Sequence, residues 1–302
     1  MSNLVTGGSG FLGSYVVEQL VARGERVRVF CRSEPDCQAL PGVEWYQGDI
    51  RDVEKLSGVC QDIDTVFHCS ARVGIWGPWK IFHAINTQGT LDLLDAARSH
   101  GVSRFVYTSS PSVVFDGQDH ANADESLPFA PKFLCAYPRS KALAEEAVRS
   151  ANGQGGLATV TLRPHLLWGP GDNQLLPRMI ERAQSKRLRR VGDGHNHISM
   201  SYVENAAAAH IQAADLLHLE AAHAGKVYFI NETESVNLWE WINRLLKRRR
   251  VRKSTVVSCS PIFWIWSCYR CWWIPLAKTW CAPVSKCSTK KCRNIWKSCN
   301  LA

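Results

Sequence analysis

A glycine-rich turn near the N-terminus constrains the fold of this chain more than any other feature. A short apolar run is followed by Thr6-Gly7-Gly8-Ser9-Gly10-Phe11-Leu12-Gly13, and an amphipathic stretch comes next. Glycines at this spacing are typical of the first βα turn of a dinucleotide-binding fold, where they permit a tight turn, close approach of backbone to a pyrophosphate and close helix–strand packing. Free N–H groups at the start of the helix favour phosphate. The residues predicted to contact a dinucleotide here are Gly7, Gly10, Phe11, Leu12 and Gly13.

Strand and helix patterns alternate from residue 4 to about residue 163. The later strand-like runs are Arg26–Cys31, Val43–Tyr46, Thr65–His68, Arg104–Tyr107 and Ala158–Leu162. The helical runs are Phe11–Arg23, Val53–Val59, Trp79–Ser99 and Tyr137–Ser150. This alternation predicts an α/β fold over residues 1–163, a Rossmann-type, doubly wound parallel sheet with helices on both faces.

The rest of the chain is predicted to divide into two parts. Residues 164–246 contain helical patterns at Asn173–Lys186 and from Tyr202 to about Leu217, and we expect a small C-terminal substrate lobe interleaved with the sheet. Residues 247–302 form an atypical basic tail rich in Cys and Trp. The first strand signal begins within four residues of Met1, so we predict no secretory leader and a cytoplasmic location.

The net charge of +9 arises from the tail. Residues 1–240 hold all 27 acidic residues and 22 of the 36 basic ones, for a net charge of −5. The other 14 basic residues lie after Glu240. The overall charge is therefore no indication of nucleic-acid binding, and no such partner is predicted. Seven of the 12 cysteines also lie in the last 62 residues, so the body is typical of a reduced cytosolic enzyme.

The residues that follow each strand are candidate cofactor contacts, because ligands of a doubly wound sheet bind at the carboxyl ends of its strands. After the second strand, Cys31 replaces the acidic residue that favours NAD, and Arg32 beside it suits the 2′-phosphate of NADP. NADP is the predicted cofactor and NAD the alternative, with a solvated surface role for Arg32 as the competing interpretation. After the third strand, Asp49 and Ile50 are candidate adenine contacts, although Asp49 can instead cap the helix near Val53.

The fourth strand ends in His68-Cys69-Ser70-Ala71. Small residues are needed where backbone lies against a cofactor, so Ala71 is a further predicted contact. His68 is interpreted as a core histidine rather than a catalytic base. His195 and His197 have no acidic or cysteine ligands at suitable spacing and are interpreted as loop residues, so no metal site is predicted.

A Tyr-x-x-x-Lys pair supplies the candidate chemistry. Tyr137 and Lys141 are four residues apart at the start of a predicted helix and share one face. A free tyrosine has a pKa of about 10, too high for acid–base work near neutrality, and a lysine ammonium on the same face lowers it. A hydroxyl at the end of the fifth strand, in Tyr107-Thr108-Ser109-Ser110, can polarise a carbonyl. We predict that these groups move a proton while a nicotinamide exchanges a hydride with carbon.

The chain resembles the extended short-chain dehydrogenases/reductases, and within them the 3β-hydroxysteroid dehydrogenase family, over residues 2–246. The motifs that carry the resemblance are Thr6–Gly13, Val66–Cys69, Asn86–Thr90, Tyr107–Ser110, Tyr137–Lys141 and Leu162–His165. Pro164, in the last of these motifs, is a predicted cofactor contact. Two branches are similar, the sterol 4α-carboxylate 3-dehydrogenases and the bacterial 2-alkyl-3-oxoalkanoate reductases. The second branch also shares Ile75–Gly77, Trp168–Asn173 and Val191–Gly194.

The resemblance assigns catalytic roles to Ser110, Tyr137 and Lys141, with Ser109 as the near alternative to Ser110. Asn86 is expected to help orient the site. The family's pattern also implies a homodimer. The implied enzyme is an NAD(P)-dependent dehydrogenase or reductase acting on CH–OH groups.

The implied substrate is a small, lipid-like molecule, a steroid or a long-chain 2-alkyl-3-oxo acid, with hydride transfer at a secondary alcohol or ketone. Three tryptophans on predicted loops, Trp76, Trp79 and Trp168, either line an apolar pocket for such a molecule or pack the lobe against the sheet. The sequence leaves these two interpretations equally open.

Two other functions stay open. Nucleotide-sugar epimerases and dehydratases resemble this chain, but such dehydratases carry an Asp-Glu pair where Pro111-Ser112 stands here. Outside the enzymes, the alternative is a catalytically silent NADP-sensing binding protein. The intact Tyr137/Lys141 pair argues against that alternative, and the atypical tail argues for it.

The tail admits three interpretations. Cys268 and Cys271 suggest a zinc module, but the other cysteines supply no second C-x-x-C. The apolar run Ile262–Trp266 suggests peripheral contact with a membrane surface, since no uncharged apolar run reaches the roughly 18 residues that span a bilayer. The loss of acidic residues and glycine from about Lys247 suggests a segment translated out of frame, and this is the interpretation that we favour. The segment that closes the substrate pocket in related chains would then be missing or scrambled.

Overall fold

The computed structural model describes residues 1–33, 42–248 and 255–257. The strands are β1 Ser2–Thr6, β2 Arg26–Cys31, β3 Val43–Gln47, β4 Thr65–His68, β5 Arg104–Thr108, β6 Ala158–Pro164, β7 Leu166–Trp168, β8 Arg189–Val191, β9 His197–Ile198, β10 Met200–Tyr202, β11 Val227–Ile230, β12 Val236–Asn237 and β13 Thr255–Val257. The helices are α1 Phe11–Ala22, α2 Val53–Val59, α3 Trp79–Phe82, α4 Gly89–Ser99, α5 Ala136–Ser150, α6 Leu175–Gln184, α7 Val203–Asp215 and α8 Leu238–Arg248.

Seven strands form one parallel sheet in the order β3-β2-β1-β4-β5-β6-β11. The first six follow the strand order of a doubly wound Rossmann sheet, and β11 adds a seventh strand beside β6. The predicted fold class is confirmed. The strands predicted from the sequence begin and end within two residues of the observed ones.

Successive residues of the central strands enter two separate apolar layers. Leu4 and Phe105 face the layer that holds α2, α4 and α5, whereas Val5 and Val106 face the layer under α1 and α7. Neighbouring side chains of a strand point to opposite faces, so a strand that is apolar throughout is buried on both sides. This arrangement places helices on both faces of the sheet, as predicted.

The stretch 164–246 is interleaved with the Rossmann domain. Within it, β11 joins the central sheet, and α7 packs against α1 in the second apolar layer. The other two helices of this stretch, α6 and α8, share a separate apolar cluster that includes Met179, Trp239 and Ile242. This cluster is separate from the two layers of the sheet, and the division of the chain into a Rossmann domain and a substrate lobe stays a prediction.

A single helix is predicted from the sequence over Trp79–Ser99, and this prediction is wrong for the residues in its middle. The chain forms α3, then a wider π-helical turn at His83–Gln88, and then α4. The π-turn contains Asn86, a buried residue whose side chain is hydrogen-bonded to two other segments. A π-bulge of this kind is frequent at functional sites, and hydrophobic periodicity alone does not reveal it.

The zinc, membrane-contact and out-of-frame hypotheses for the tail concern residues that lie outside the described ones, apart from β13, which pairs in parallel with β8. They therefore stay predictions. In the described part of the chain, no helix is both long and apolar enough to cross a bilayer. In the same residues, no group of three His, Cys, Asp or Glu side chains is placed to hold a metal ion.

Candidate active site

The glycine-rich turn has the geometry of a phosphate cradle. Gly7 has a φ of +73° and would place a Cβ only 2.9 Å from the main chain of Ser70. A Cβ on Gly13 would lie 2.2 Å from the carbonyl oxygen of Gly7, so only glycine lets α1 approach β1 this closely. The N–H of Gly10 donates a 2.8 Å hydrogen bond to the same carbonyl and closes the turn.

The start of α1 is left open for an anion. Gly10 occupies the cap position without a side chain to satisfy the first N–H groups, and the first turn holds no acidic residue. Gly10 is exposed, whereas Leu12 and Gly13 are buried and Phe11 is half-buried. A helix N-terminus of this kind binds phosphate through its N–H groups and dipole. The cradle and the open helix end together fit the pyrophosphate of a dinucleotide.

The end of β2 carries an exposed Arg32 beside the buried thiol of Cys31. The Cys31 Sγ donates to the carbonyl oxygen of Ser33 at 3.1 Å, so the position that an acidic residue takes in NAD-binding proteins is uncharged here. The guanidinium of Arg32 is exposed at this strand end, and its charge contributes to lowering the pKa of Asp49.

Asp49 does not cap α2, so that sequence interpretation is wrong. Asp52 is the cap residue and accepts from the N–H of Lys55 at 3.2 Å. Asp49 instead receives two side-chain hydrogen bonds from Arg51, at 2.8 and 2.7 Å, which lower its pKa to about 2. Ile50 is buried against Gly89 at the start of α4.

His68 is a core histidine, as interpreted from the sequence. It is 1% exposed, and burial lowers its pKa to about 3. The hydroxyl of Thr90 donates to the main-chain carbonyl oxygen of Asn86, so this hydroxyl accepts the hydrogen bond from Nε2 of His68. The other ring nitrogen, Nδ1, then accepts from the hydroxyl of Thr6. Both ring nitrogens are therefore used inside the protein. Ala71, three residues further on, is half-buried in the loop after β4.

Asn86 ties the loop after β4 to α5. Its Oδ1 accepts from the N–H of Arg72 at 2.7 Å, and its Nδ2 donates to the carbonyl oxygen of Arg72 at 3.0 Å. The same Nδ2 donates to Oγ of Ser140 at 2.9 Å. Ser140 in turn donates to the carbonyl oxygen of Tyr137 at 2.7 Å. Asn86 therefore orients the site by joining two chain segments, in agreement with the expectation from the resemblance.

Two adjacent serines at the end of β5 have different surroundings. Ser109 is buried, and its hydroxyl donates to Oε2 of Glu145 at 2.6 Å. Ser110 shares a 2.8 Å hydrogen bond with Ser112, and its hydroxyl lies near enough to Tyr137 to act on the pKa of that phenol. Only Ser110 is therefore placed to act together with the tyrosine.

Tyr137 lies at the start of α5 with its ring edge-on to Phe82, at a centroid distance of 6.5 Å. Burial raises the pKa of its hydroxyl, and the neighbouring hydroxyl of Ser110 works against that rise. From the sequence, the ammonium of Lys141 is expected to lower this pKa. In the structure the desolvation of the phenol outweighs all favourable interactions, so Tyr137 is a protonated phenol at neutral pH.

Lys141 is 2% exposed and lies one helical turn after Tyr137. Its Nζ donates to the carbonyl oxygen of Thr108 at 2.7 Å and lies 4.1 Å from the ring centroid of Tyr107. Burial lowers its pKa to about 7, whereas the carboxylate of Glu145 acts to raise it. The amine is therefore poised to change its charge near neutral pH.

The buried ion pair of Glu145 and Arg163 was missed by the sequence argument. Nε of Arg163 donates to Oε2 of Glu145 at 3.0 Å, and a second nitrogen bonds Oε1. Both side chains lie in the core, and the guanidinium of Arg163 lies close to the rings of Phe129 and Phe229. The signal was available, because Glu145 continues the helical face of Tyr137 and Lys141 at a four-residue spacing.

The tryptophans divide between the two interpretations. Trp168 packs on Tyr202 and Trp241, with centroid distances of 5.1 and 5.6 Å, as expected for a residue that holds the lobe. Trp79 lies under the guanidinium of Arg139 at 4.2 Å. Trp76 is half exposed in the loop after β4 and is free to meet a ligand.

Pro164, His195 and His197 are the other residues that were interpreted from the sequence. Pro164 ends β6, is buried, and pairs with Ile230 of β11. His197 lies in β9, whereas the interpretation from the sequence placed it in a loop, and its exposed side chain joins no metal-binding group. His195 is in a loop and its N–H donates to Asp193 at 2.9 Å.

The sequence matches the family model of the 3-beta hydroxysteroid dehydrogenase/isomerase family over residues 4–260. A 2-alkyl-3-oxoalkanoate reductase of Stenotrophomonas maltophilia is 44% identical over 250 residues, which cover 82% of this chain and 75% of that protein. The decarboxylating sterol-4-alpha-carboxylate 3-dehydrogenase of Homo sapiens is 36% identical and covers 80% of this chain. The chain spans 65% of the human protein and 64% of a second such reductase, from Shewanella oneidensis.

Solved structures show the same fold. The dTDP-glucose 4,6-dehydratase DesIV of Streptomyces venezuelae, with NAD and TYD bound, has a TM-score of 0.73 and 25% identity, over 86% of this chain and 85% of that one. The UDP-glucuronic acid 4-epimerase of Bacillus cereus has a TM-score of 0.73 at 21% identity, over 85% and 87% of the two chains. The chain is therefore an NAD(P)-binding oxidoreductase of the Rossmann type, and it belongs to the 3-beta hydroxysteroid dehydrogenase/isomerase family.

Proposed function

We propose that this protein reduces the 3-oxo group of a long-chain 2-alkyl-3-oxo acid, with NADPH as the reductant. The observation that carries the proposal is the hydroxyl of Ser110 beside that of Tyr137, one helical turn before the buried amine of Lys141. These three groups lie at the carboxyl edge of the sheet, where a Rossmann protein binds its ligands.

The dinucleotide is proposed to lie along the ends of β1 to β6. The residues assigned to hold it are Gly7, Gly10, Phe11, Leu12, Gly13, Arg32, Asp49, Ile50, Ala71, Tyr137, Lys141 and Pro164. When bound, the nicotinamide supplies the hydride that the substrate carbon accepts. The preference for NADPH over NADH rests on Arg32, an exposed cation beside the uncharged Cys31.

Tyr137 is proposed to deliver the proton. Its raised pKa keeps the phenol protonated at neutral pH, which is the form needed to donate to the oxygen of a carbonyl as that oxygen gains negative charge. Ser110 is proposed to donate a hydrogen bond to the same oxygen and to hold the carbonyl against the tyrosine. Reduction is thus the direction favoured by the protonation state of this site.

Lys141 is proposed to support Tyr137 rather than to touch the substrate. Its ammonium, held by the carbonyl oxygen of Thr108, is one helical turn from the phenol and stabilises the phenolate that remains after proton transfer. A pKa of about 7 means that this amine binds a proton below pH 7, so the support is strongest at and below neutrality.

The substrate class rests on the relatives. The reductase of Stenotrophomonas maltophilia shares 44% identity and is named for a 2-alkyl-3-oxoalkanoate, against 36% for the human sterol dehydrogenase. Oxidation of a sterol 3-alcohol is the second candidate, supported by that dehydrogenase. A nucleotide sugar is disfavoured because Pro111 and Ser112 replace the acidic pair of the dehydratases.

The test is turnover with defined substrates. Purified protein is mixed with NADPH and a 2-alkyl-3-oxo acid, and separately with NADP and a 3β-hydroxysteroid, while absorbance at the nicotinamide band is followed. Loss of NADPH with the oxo acid, abolished in Tyr137→Phe although cofactor binding is kept, supports the proposal. Turnover of the steroid alone supports the second candidate. Cofactor binding without turnover on either substrate supports a silent NADP-sensing protein.

A further inference from the structure

We propose that Arg72 recognises the carboxylate of the substrate and so selects acids over neutral ketones. This inference rests on the proposed function and extends it by naming a specificity-determining residue. Arg72 lies in the loop after β4, directly after Ala71, the residue assigned to the cofactor. The loop is thus placed between the cofactor and the reacting tyrosine.

The backbone of Arg72 is held in a fixed relation to the backbone of Tyr137. The buried side chain of Asn86 bonds both the N–H and the carbonyl oxygen of Arg72, at 2.7 and 3.0 Å. Asn86 then donates to Ser140, which is 0% exposed and donates to the carbonyl oxygen of Tyr137. The central link, between Asn86 and Ser140, is buried and the others are partly buried, so the two segments are positioned as a unit.

The side chain of Arg72 lies on the same aromatic wall as Tyr137. Its guanidinium carbon lies 5.5 Å from the ring centroid of Phe82, and that ring is edge-on to the ring of Tyr137. Phe82 is fully buried and therefore a rigid support. Stacking on a ring orients the planar guanidinium while its N–H groups stay available for a ligand.

The charge of Arg72 is not neutralised by neighbouring carboxylates. Among residues 1–33 and 42–248, no Asp or Glu side chain forms an ion pair with it. Residues 65–91, which include the whole loop and α3, contain Arg72 and Lys80 but no acidic residue. A cation with fixed backbone, an aromatic support and no partner is suited to an anionic ligand group. The guanidinium fork matches a carboxylate in two parallel hydrogen bonds.

The same loop also presents apolar side chains. Val73 and Trp76 are 48% and 50% exposed. A single cation beside exposed apolar groups matches an amphiphilic acid, in which one carboxylate adjoins alkyl chains. We infer that the carboxylate meets Arg72 and that an alkyl chain of the same molecule covers Val73 and Trp76. The 3-oxo group, two carbons from the carboxylate carbon, is then directed towards Tyr137.

The test compares an acid with its ester. A 2-alkyl-3-hydroxy acid and its methyl ester are oxidised with NADP, because the hydroxy compounds do not lose CO₂ on standing as 3-oxo acids do. Arg72→Gln is expected to raise KM for the acid about tenfold or more and to change KM for the ester less than twofold. Arg72→Lys is expected to give an intermediate KM for the acid, because it keeps the charge without the fork.

Lys80→Gln is the matched control, since it removes the other exposed cation of this region. It is expected to leave both KM values unchanged. The proposal is overturned if Arg72→Gln raises KM equally for the acid and the ester, or if it leaves KM for the acid unchanged. If the parent protein turns over neither compound, the proposed function fails, and the role of Arg72 is then tested by binding alone. Binding of the hydroxy acid, followed by tryptophan fluorescence, then decides the role of Arg72: weaker binding in Arg72→Gln supports it, and equal binding overturns it.

Discussion

The hydroxyl of Ser109 points into the core, where it donates a 2.6 Å hydrogen bond to the carboxylate of Glu145. The next residue, Ser110, has its hydroxyl against Tyr137 instead. Both partners lie on α5, so the two serines are distinguished by which residue of that helix each one meets. The sequence left both serines as candidates, and the position of Glu145 distinguishes them.

Replacing either serine by alanine is expected to affect a different property, kcat for Ser110 and stability for Ser109. Ser110→Ala should lower kcat by about 10²–10³-fold, because the carbonyl oxygen loses a donor, and leave the melting temperature close to that of the parent. Ser109→Ala should keep most of kcat but lower the free energy of unfolding by about 1–3 kcal/mol, because Glu145 loses a buried partner. Kinetics and thermal melting of both variants measure this. A larger loss of kcat in Ser109→Ala than in Ser110→Ala would show that the roles are reversed.

Lys141 is expected to reduce the stability of the ligand-free protein. Burial lowers its pKa to about 7, whereas a lysine of the unfolded chain titrates near 10.4. Between these pH values the unfolded chain binds more protons than the folded one, so this penalty is full below pH 7 and disappears as the pH rises towards 10.4. Lys141→Met should therefore raise the melting temperature, by more at pH 6 than at pH 10. The control is Lys80→Met, on the exposed surface of α3. An increase in melting temperature that is the same at pH 6 and pH 10 would refute burial of the Lys141 charge as the cause.

His68 is expected to contribute to acid unfolding. Its folded pKa of about 3 is far below the value of about 6.5 in an unfolded chain. Between pH 6.5 and 3 the unfolded chain binds the extra proton, so the stability that is present above pH 6.5 is lost as the pH falls. His68→Gln should be less stable than the parent at pH 7, because one of two buried hydrogen bonds is lost, but should lose less further stability at pH 4.5. Urea midpoints at both pH values test this.

The sheet was predictable because its signals are local. The glycine spacing from Gly7 to Gly13 and the buried runs such as Thr65–His68 determine strand positions without knowledge of distant residues. The break between α3 and α4 was not predictable in this way, because it depends on Asn86 meeting Arg72 and Ser140 across the fold. β11 was missed for a related reason: it is a four-residue strand at the edge of the sheet, and its pairing with β6 is set by tertiary packing.

The candidate site was predictable in its residues but less so in its electrostatics. Tyr137 and Lys141 were proposed from their spacing together with the glycine-rich turn and the serines upstream, and the spacing places them on one helical face. Whether a phenol pKa rises or falls depends on how completely the ring loses water, and this depends on packing around the site. The same holds for Asp49, for which a helix cap was the alternative to an adenine contact, and the structure has Asp52 in the cap position. Arg51, two residues on, holds Asp49 instead.

Arg32 is expected to determine which coenzyme this protein prefers. Arg32→Gln should weaken NADPH binding by about tenfold or more, because the 2′-phosphate loses a charged partner, and should change NADH binding little, because NADH lacks that phosphate. The double change Cys31→Asp and Arg32→Gln should improve NADH binding further by supplying an acceptor for the ribose hydroxyl. Titration of tryptophan fluorescence with each coenzyme measures both effects. Arg26→Gln is the matched control, because Arg26 is an exposed cation at the opposite end of the same strand, β2. Equal weakening of NADPH and NADH by Arg32→Gln would mean that Arg32 is only a surface charge, and the preference for NADPH would have to be abandoned.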